Sequence, residues 1–280
     1  MPFLLLAALL LHIPAHADTQ ARVSPQRLQE ESVQSAALGR AMKYRVLLPD
    51  DYATSQRRYP VLYLLHGLGG DYKDWTTRTN IAEYSRTLPL IVVMPDGENS
   101  WYTNAAGAPT ERFEDYILTD LLADVAGKYR TINSRHGRTI AGLSMGGYGA
   151  LKMALRRPGT FAVAGSFSGA FSATRPELAK RIPSEEERLR RIYGDDDSAS
   201  RRQNDLYVLA AAAKPGAVPY LYIDCGIADG LVGANREVVA ALHKSGVDYE
   251  YHEVAGGHSW EYWDRRIREF LAVLMKKLSD

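Results

Sequence analysis

Ile140–Leu155 reads IAGLSMGGYGALKMAL: an apolar run, a serine between glycines, and then a helical pattern. The apolar run, Arg138–Ser144, predicts a buried strand, and residues 146–157 predict a helix. The G-x-S-x-G pattern between them is typical of a sharp strand-to-helix turn that exposes the serine. Ser144 is therefore a candidate nucleophile. The alternative is an ordinary Gly-rich turn that carries a bystander serine.

Apolar runs of the same kind recur along the chain, and helical patterns fall between them. Continuous apolar runs suit strands that a parallel sheet buries on both faces. The runs are Ala41–Pro49, Val61–Gly67, Leu90–Gly97, Phe161–Gly169, Pro219–Gly226 and Asp248–Gly256. Amphipathic patterns at 113–125, 231–245 and 260–278 predict helices. The alternation predicts an α/β fold with a mostly parallel central sheet and helices on both faces.

The first residues of the chain predict a secretory signal peptide. An apolar run, FLLLAALLLHI, is followed by Ala15-His16-Ala17, which fits an A-x-A cleavage site. The run is shorter than the roughly 20 residues that span a bilayer. We therefore expect cleavage after Ala17, a secreted or periplasmic protein, and no stable insertion in a membrane. A buried N-terminal helix is the alternative, but it does not explain the small-residue site.

Residues 18–280 are predicted to form one domain. Residues 18–40 are polar and are expected to be an irregular leader onto the first strands. The segment at about 171–218 breaks the strand–helix rhythm. It is interpreted either as a small cap that shapes the substrate pocket or as a solvated connector, and the sequence leaves both open.

A serine hydroxyl needs a base before it can act as a nucleophile, and the base needs an acid to orient it. In α/β-hydrolases the order along the chain is serine, acid, histidine. Of the seven histidines, His258 alone follows the last predicted strand, in a glycine-flanked loop. Asp229 is the preferred acid because it lies in a loop, five residues beyond Asp224 at the strand end. Asp224 is kept as the alternative.

The oxyanion of an acyl-transfer reaction needs two backbone N–H donors. In this fold, one belongs to the residue after the nucleophile, here Met145, and the other to a loop after an earlier strand. The loop HGLGG, His66–Gly70, supplies Leu68 as the second predicted donor. His66 is expected to brace this loop rather than to take part in the chemistry.

Composition gives little reason to expect other kinds of partner. The chain has 34 basic and 33 acidic residues, so its charge favours neither nucleic acid nor a polyanionic substrate. The acidic run Asp195–Asp197 lacks the ligand spacing of a calcium loop and is interpreted as solvated. Cys225 is the only cysteine, so no internal disulfide can form.

The motifs together resemble the esterase D family of α/β-hydrolases, which includes tributyrin, feruloyl and acetyl-xylan esterases, S-formylglutathione hydrolases and mycolyltransferases. The resemblance spans about residues 44–278 and is carried by LLHGLGG, MPDGENSWYTN, GLSMGGYGALKMAL, FSGAF, DCGIAD and GGHSWEYW. It implies the same assignments: Ser144, Asp229 and His258 as triad, and Leu68 and Met145 as oxyanion donors. It also implies that no metal or organic cofactor is needed.

Aromatic residues near these motifs are candidates for the substrate pocket. Trp101 and Tyr102 lie in NSWYTN, and Trp260 and Trp263 follow the histidine. All four are predicted to line the acyl or alcohol site. For the last two, packing of the final helix is an equally good interpretation.

The sequence thus predicts an exported serine carboxylesterase that hydrolyses short-chain or aryl esters, either small molecules or esters linked to glycans. Three alternatives stay open: a thioesterase of the S-formylglutathione hydrolase type, an acyltransferase to a sugar alcohol, and a hydrolase fold that serves only as a binding module. The acyl length, the natural alcohol and the oligomeric state are not predicted.

Overall fold

A computed structural model of the chain describes Ser24, residues 26–175 and residues 185–279. Its centre is a sheet of eight strands. The strands are β1 (Leu28–Ser35), β2 (Arg40–Leu47), β3 (Val61–Leu65), β4 (Ile91–Pro95), β5 (Arg138–Leu143), β6 (Val163–Phe167), β7 (Tyr220–Gly226) and β8 (Tyr249–Val254). The predicted signal peptide lies outside the described residues.

The order of the strands is β1-β2-β4-β3-β5-β6-β7-β8. β1 and β2 pair antiparallel, β2 pairs antiparallel with β4, and the strands from β4 to β8 are parallel. Every residue of β3, β4 and β6 is buried, because helices cover both faces of the sheet there. The carboxyl ends of the parallel strands therefore meet along one edge, where sites of such sheets form.

The first strand corrects the expectation of an irregular leader. β1 runs antiparallel to β2 over its full length, from Leu28 opposite Leu47 to Ser35 opposite Arg40. As an edge strand it pairs on one side only, so most of its side chains remain at least partly accessible; Val33 and Ser35 are buried. Because Val33 is the only deeply buried apolar side chain of β1, the sequence of this strand contains no apolar run that would predict it.

The helices form two layers. They are α1 (Asp74–Arg78), α2 (Ile81–Tyr84), α3 (Phe113–Asp115), α4 (Leu122–Lys128), α5 (Met145–Arg156), α6 (Glu186–Tyr193), α7 (Ala199–Gln203), α8 (Leu206–Ala212), α9 (Val232–Lys244) and α10 (Trp260–Ser279), with a π-helical turn (Tyr116–Leu121) joining α3 to α4. Buried side chains of α1, α2 and α10 pack in one apolar core, and those of α3 to α6, α8 and α9 pack in the other.

The segment between β6 and β7 carries α6, α7 and α8. Leu189, Ile192 and Tyr193 of α6 and Leu206 of α8 are buried in the same core as α5. Gly194 ends α6 with φ +79° and donates its N–H to Arg190 O. These helices are anchored by apolar side chains, so the segment is more than a solvated loop. Its role as a cap stays a prediction.

Candidate active site

The turn at Ser144 joins β5 to α5 in a strained conformation. Ser144 has φ 53° and ψ −115°, a backbone conformation that residues other than glycine rarely adopt. A Cβ on Gly142 would lie 2.5 Å from the carbonyl carbon of Gly146, and a Cβ on Gly146 would lie 2.6 Å from the Leu65 and His66 carbonyl oxygens. Only glycine fits at either position, so the spacing of the motif follows from the close approach of the helix to the sheet.

Ser144, His258 and Asp229 come together at the carboxyl edge of the sheet. His258 Nε2 lies 3.0 Å from Ser144 Oγ, and His258 Nδ1 lies 2.9 Å from Asp229 Oδ2. The Asp229 side chain is 1% exposed, whereas the imidazole is 38% exposed. The structure therefore brings the three predicted residues into one hydrogen-bonded chain, in which the imidazole separates a buried carboxylate from the serine.

The environment of Asp229 keeps its carboxylate charged. Burial raises the pKa of Asp229, but hydrogen bonds from His258, from the Leu231 N–H and from Ser168 together lower it below its ordinary value. The Leu231 N–H lies 2.9 Å from Asp229 Oδ1. A carboxylate that accepts several hydrogen bonds in a buried site is well placed to orient an imidazole and to stabilise its charged form.

Asp224, the alternative acid, is bound elsewhere. Its side chain is fully buried at the end of β7, and Arg266 Nε of α10 lies 2.5 Å from its Oδ2. Tyr262 donates its hydroxyl to the other carboxylate oxygen. Asp224 thus holds α10 against the sheet, and among the described residues the carboxylate that contacts the His258 ring is that of Asp229.

The loop Gly67–Gly70 is fixed from two sides. The Gly97 N–H donates to His66 Nε2 at 2.8 Å, so the proton of the neutral ring lies on Nδ1, which is 2.8 Å from Gly67 O. The Gly69 N–H donates to Asn99 Oδ1 at 2.7 Å, a contact that the sequence gives no signal to find.

The two predicted oxyanion donors lie in the Gly67–Gly70 loop and at the start of α5. Neither the Leu68 N–H nor the Met145 N–H donates a hydrogen bond to another element of the described chain. Met145 is the first residue of α5, where an N–H has no partner within its helix. Both groups are therefore available to a ligand.

A pocket of about 230 Å³ opens beside Ser144. Its lining includes Leu68, Ser144, His258, Trp260 and Trp263, together with Gly67, Gly69, Gly70, Asp74, Arg78 and Leu143. Sequence reasoning did not single out Asp74 or Arg78, because nothing in their spacing relates them to the serine. No described residue of the 171–218 segment contributes to this lining.

Trp101 and Tyr102, predicted to line the pocket, lie inside the protein instead. Trp101 is 2% exposed and Tyr102 is fully buried. Both have positive φ, 55° for Trp101 and 51° for Tyr102. The Tyr102 ring fills the space left by two glycines: a Cβ on Gly97 would lie 2.2 Å from it, and a Cβ on Gly149 would lie 2.7 Å from it.

Two kinds of feature, metal-binding clusters and membrane-spanning helices, are not found in the part of the chain that the structure describes. There, no group of three or more His, Cys, Asp or Glu side chains could hold a metal ion. Within the same residues, none of the helices combines the length and the apolar character needed to cross a membrane.

Comparison with known proteins gives consistent matches over most of the chain. A family model described as "Putative esterase" matches residues 35–274. An acetyl esterase of Caldicellulosiruptor saccharolyticus is 32% identical over 225 residues, which cover 78% of this chain and 84% of that protein. An esterase of Mycobacterium tuberculosis is 33% identical over 83% of this chain, which spans 56% of that longer protein.

Solved structures agree with these matches. The fluorophosphonate-binding serine hydrolase F of Staphylococcus aureus, solved with substrate bound, superposes with a TM-score of 0.79 and 28% identity. The match covers 89% of this chain and 98% of that one. These likenesses confirm the predicted α/β-hydrolase fold.

Proposed function

Because this chain belongs to the family described as "Putative esterase" and is a carboxylic ester hydrolase, we propose that it is a serine esterase that acts through an acyl-enzyme on Ser144. We also propose that it is exported, because its first 17 residues have the pattern of a signal peptide. One observation carries the proposal: the hydrogen-bonded chain from Ser144 Oγ through the His258 ring to Asp229, with distances of 3.0 and 2.9 Å. A nucleophile, a base and an orienting acid in this order form the set that acyl transfer requires.

In the first half of the reaction, Ser144 Oγ attacks the ester carbonyl carbon while its proton passes to His258 Nε2. The carbonyl oxygen becomes an oxyanion, which accepts hydrogen bonds from the Leu68 and Met145 N–H groups. The intermediate then collapses, the bond to the alcohol oxygen breaks, and His258 returns the proton to the departing alcohol. Asp229 holds the ring and stabilises its charge during both transfers.

In the second half, water replaces the alcohol. His258 Nε2 takes a proton from water, whose oxygen attacks the acyl carbonyl carbon. Collapse of this second intermediate breaks the bond to Ser144 Oγ, which regains its proton from His258, and the carboxylic acid leaves. Two easier steps thereby replace one difficult hydrolysis.

The size of the pocket favours small acyl groups. Its volume of about 230 Å³ lies below the roughly 300–1,000 Å³ that is usual for ligand sites. Trp260 and Trp263 stand at right angles, with ring centroids 5.3 Å apart, and give the pocket an aromatic wall. From the size of the pocket we propose acetyl and other short-chain esters as substrates. From its aromatic wall, on which a flat ring can pack, we propose aryl esters of the feruloyl kind as well.

A substrate series tests this proposal. We expect kcat/KM of p-nitrophenyl esters to fall steeply from acetate to octanoate, and methyl ferulate to be hydrolysed. S-formylglutathione and acetylated xylooligosaccharides, assayed beside p-nitrophenyl acetate, separate a thioesterase from an oxygen esterase. Added glucose or trehalose would give an acyl sugar if transfer prevails over hydrolysis. A preference for thioester, for acyl transfer or for octanoate would contradict the proposed substrate class.

Export is tested separately by the N-terminus of the mature protein. Expressed with its first 17 residues, the protein should appear in the periplasm or medium as a chain that begins at Asp18. Mass spectrometry reads that terminus directly. A chain that retains Ala15–Ala17 in the cytoplasm would contradict export and would leave the chemistry untouched.

A further inference from the structure

The turn after β6 lies between the two halves of the proposed triad. In the sheet, β6 stands between β5, which ends before Ser144, and β7, which leads to Asp229. The Ser144 N–H donates to Phe167 O at 2.9 Å, and the Ala170 N–H donates to Ser144 O at 3.0 Å. The turn is thus hydrogen-bonded to the nucleophile on both sides of Ser168.

Ser168 keeps a side chain where the backbone disfavours one. Its φ is 49°, a region that residues other than glycine seldom adopt, and its N–H donates to Asp224 O at 2.7 Å. The residue is fully buried. Because strained residues cluster at functional sites, a strained, buried serine beside the proposed triad indicates that its hydroxyl has a function.

The Ser168 hydroxyl has a partner on α10. Trp263 Nε1–H donates to Ser168 Oγ at 3.2 Å. The same indole packs against the His258 ring, with centroids 4.8 Å apart and planes at 88°. Trp263 is 5% exposed, so the indole offers the half-exposed imidazole a fixed surface, and Ser168 fixes the indole.

The Ser168 hydroxyl also affects the acid of the proposed triad. The indole N–H uses a lone pair of Ser168 Oγ, which leaves the single O–H of Ser168 to donate elsewhere. Burial raises the pKa of both neighbouring acids, and the Ser168 hydroxyl opposes that rise in each: the Asp229 carboxyl and the Cys225 thiol. Through this effect the Ser168 hydroxyl favours the charged form of Asp229, beside the contact with the indole that the geometry gives.

We propose that Ser168 and Trp263 are a coupled pair of positioning residues: the Ser168 oxygen fixes the indole N–H, and the fixed indole ring holds the imidazole of His258. The indole thus contacts the base directly, and the Ser168 hydroxyl favours the charged form of the acid. This inference rests on the proposed function, because it assigns these residues a role in the same reaction.

A double-mutant cycle tests the coupling. Ser168→Ala, Trp263→Phe and the double variant are assayed with p-nitrophenyl acetate over a range of pH. Trp263→Phe keeps an aromatic ring and removes the N–H. We expect each single change to lower kcat about 10-fold, the effect of losing one hydrogen bond. Ser168 lies outside the pocket lining, so Ser168→Ala should leave KM nearly unchanged. The double variant should lose no more than Ser168→Ala alone, because the two changes break one chain of contacts.

The pH profile separates positioning from a merely structural role. Without the Ser168 hydroxyl, more negative charge on Asp229 faces the imidazole, so the acid limb of kcat/KM should move to higher pH in Ser168→Ala. Ser168→Gly relieves the backbone strain and should show the same shift, which guards against a folding defect. Ser166→Ala is the matched control, since the buried Ser166 Oγ has no partner among the described residues.

Either of two changes in kcat would overturn the inference: kcat within twofold of wild type in both Ser168 variants, or losses that multiply in the double variant. A pH profile of kcat/KM whose acid limb stays at the wild-type pH in Ser168→Ala would also overturn it. Failure of the proposed function is recognised independently, because Ser144→Ala would then retain turnover whatever the Ser168 variants do.

Discussion

At the scale of single residues, two aspartates five positions apart make different contacts. Asp229 contacts the imidazole, and Asp224 contacts Arg266. The sequence favours Asp229 from its place in a loop and His258 from the order of the chain. It does not indicate the partner of Asp224, because Arg266 lies 42 positions away on α10 and only the folded chain brings the two together.

We expect Asp229→Asn to lower kcat about 10³–10⁴-fold while the protein stays folded, as in other triads whose acid becomes an amide. The amide can donate a hydrogen bond to Nδ1, and this leaves the proton of the ring on the nitrogen that faces Ser144. Steady-state assays with p-nitrophenyl acetate measure the loss, and circular dichroism checks the fold. Activity within tenfold of wild type would remove Asp229 from the proposed triad.

Asp224→Asn should act on stability instead. The Arg266 side chain is 5% exposed, so loss of the facing charge leaves a buried guanidinium short of its main partner. We expect about 3 kcal/mol less free energy of unfolding, from the usual cost of breaking a buried ion pair. Urea unfolding measures it. The kcat of the folded fraction should stay within a few-fold of wild type, which makes this variant the matched control for Asp229→Asn.

At the scale of elements, apolar runs predicted the parallel strands and α/β alternation predicted the layers. The elements that differed from prediction have physical reasons. β1 is a polar edge strand that pairs on one side only, and Trp101 and Tyr102 are buried in a turn whose positive φ values no sequence pattern indicates. The glycines that receive Tyr102, Gly97 and Gly149, are visible in the sequence, but their common partner is a tertiary contact.

The junction of β5 and α5 gives a prediction with a built-in control. Gly146→Ala would place a Cβ 2.6 Å from two backbone oxygens, so we expect α5 to shift, with a large loss of stability and of activity. Gly127→Ala meets open space within α4 and should stabilise by about 0.5–1 kcal/mol, because alanine favours a helix. Thermal unfolding of both variants tests this. Equal effects would show that the close approach at Gly146 is not what requires glycine.

At the scale of the whole molecule, burial protects the single thiol. Cys225 is fully buried in β7, and burial raises the pKa of its thiol from 9.0 to about 12. A raised pKa lowers the fraction of the thiol that is present as thiolate, which is the reactive form. We therefore expect negligible alkylation by iodoacetamide at about pH 8 in the folded protein. In urea the thiol should react fully. Rapid alkylation without denaturant, read by mass spectrometry, would show that this part of the sheet opens readily.

Covalent labelling of the nucleophile tests the central claim most directly. The purified protein, without its first 17 residues, is treated with a fluorophosphonate probe beside Ser144→Ala, with Ser166→Ala as the control serine variant. Peptide mass spectrometry then locates the label. We expect wild type and Ser166→Ala to carry one label on Ser144 and to lose turnover of p-nitrophenyl acetate in step with labelling. Ser144→Ala should neither label nor turn over. A label on another residue, or a Ser144→Ala variant that labels and hydrolyses like wild type, would contradict the assignment of Ser144 as the nucleophile.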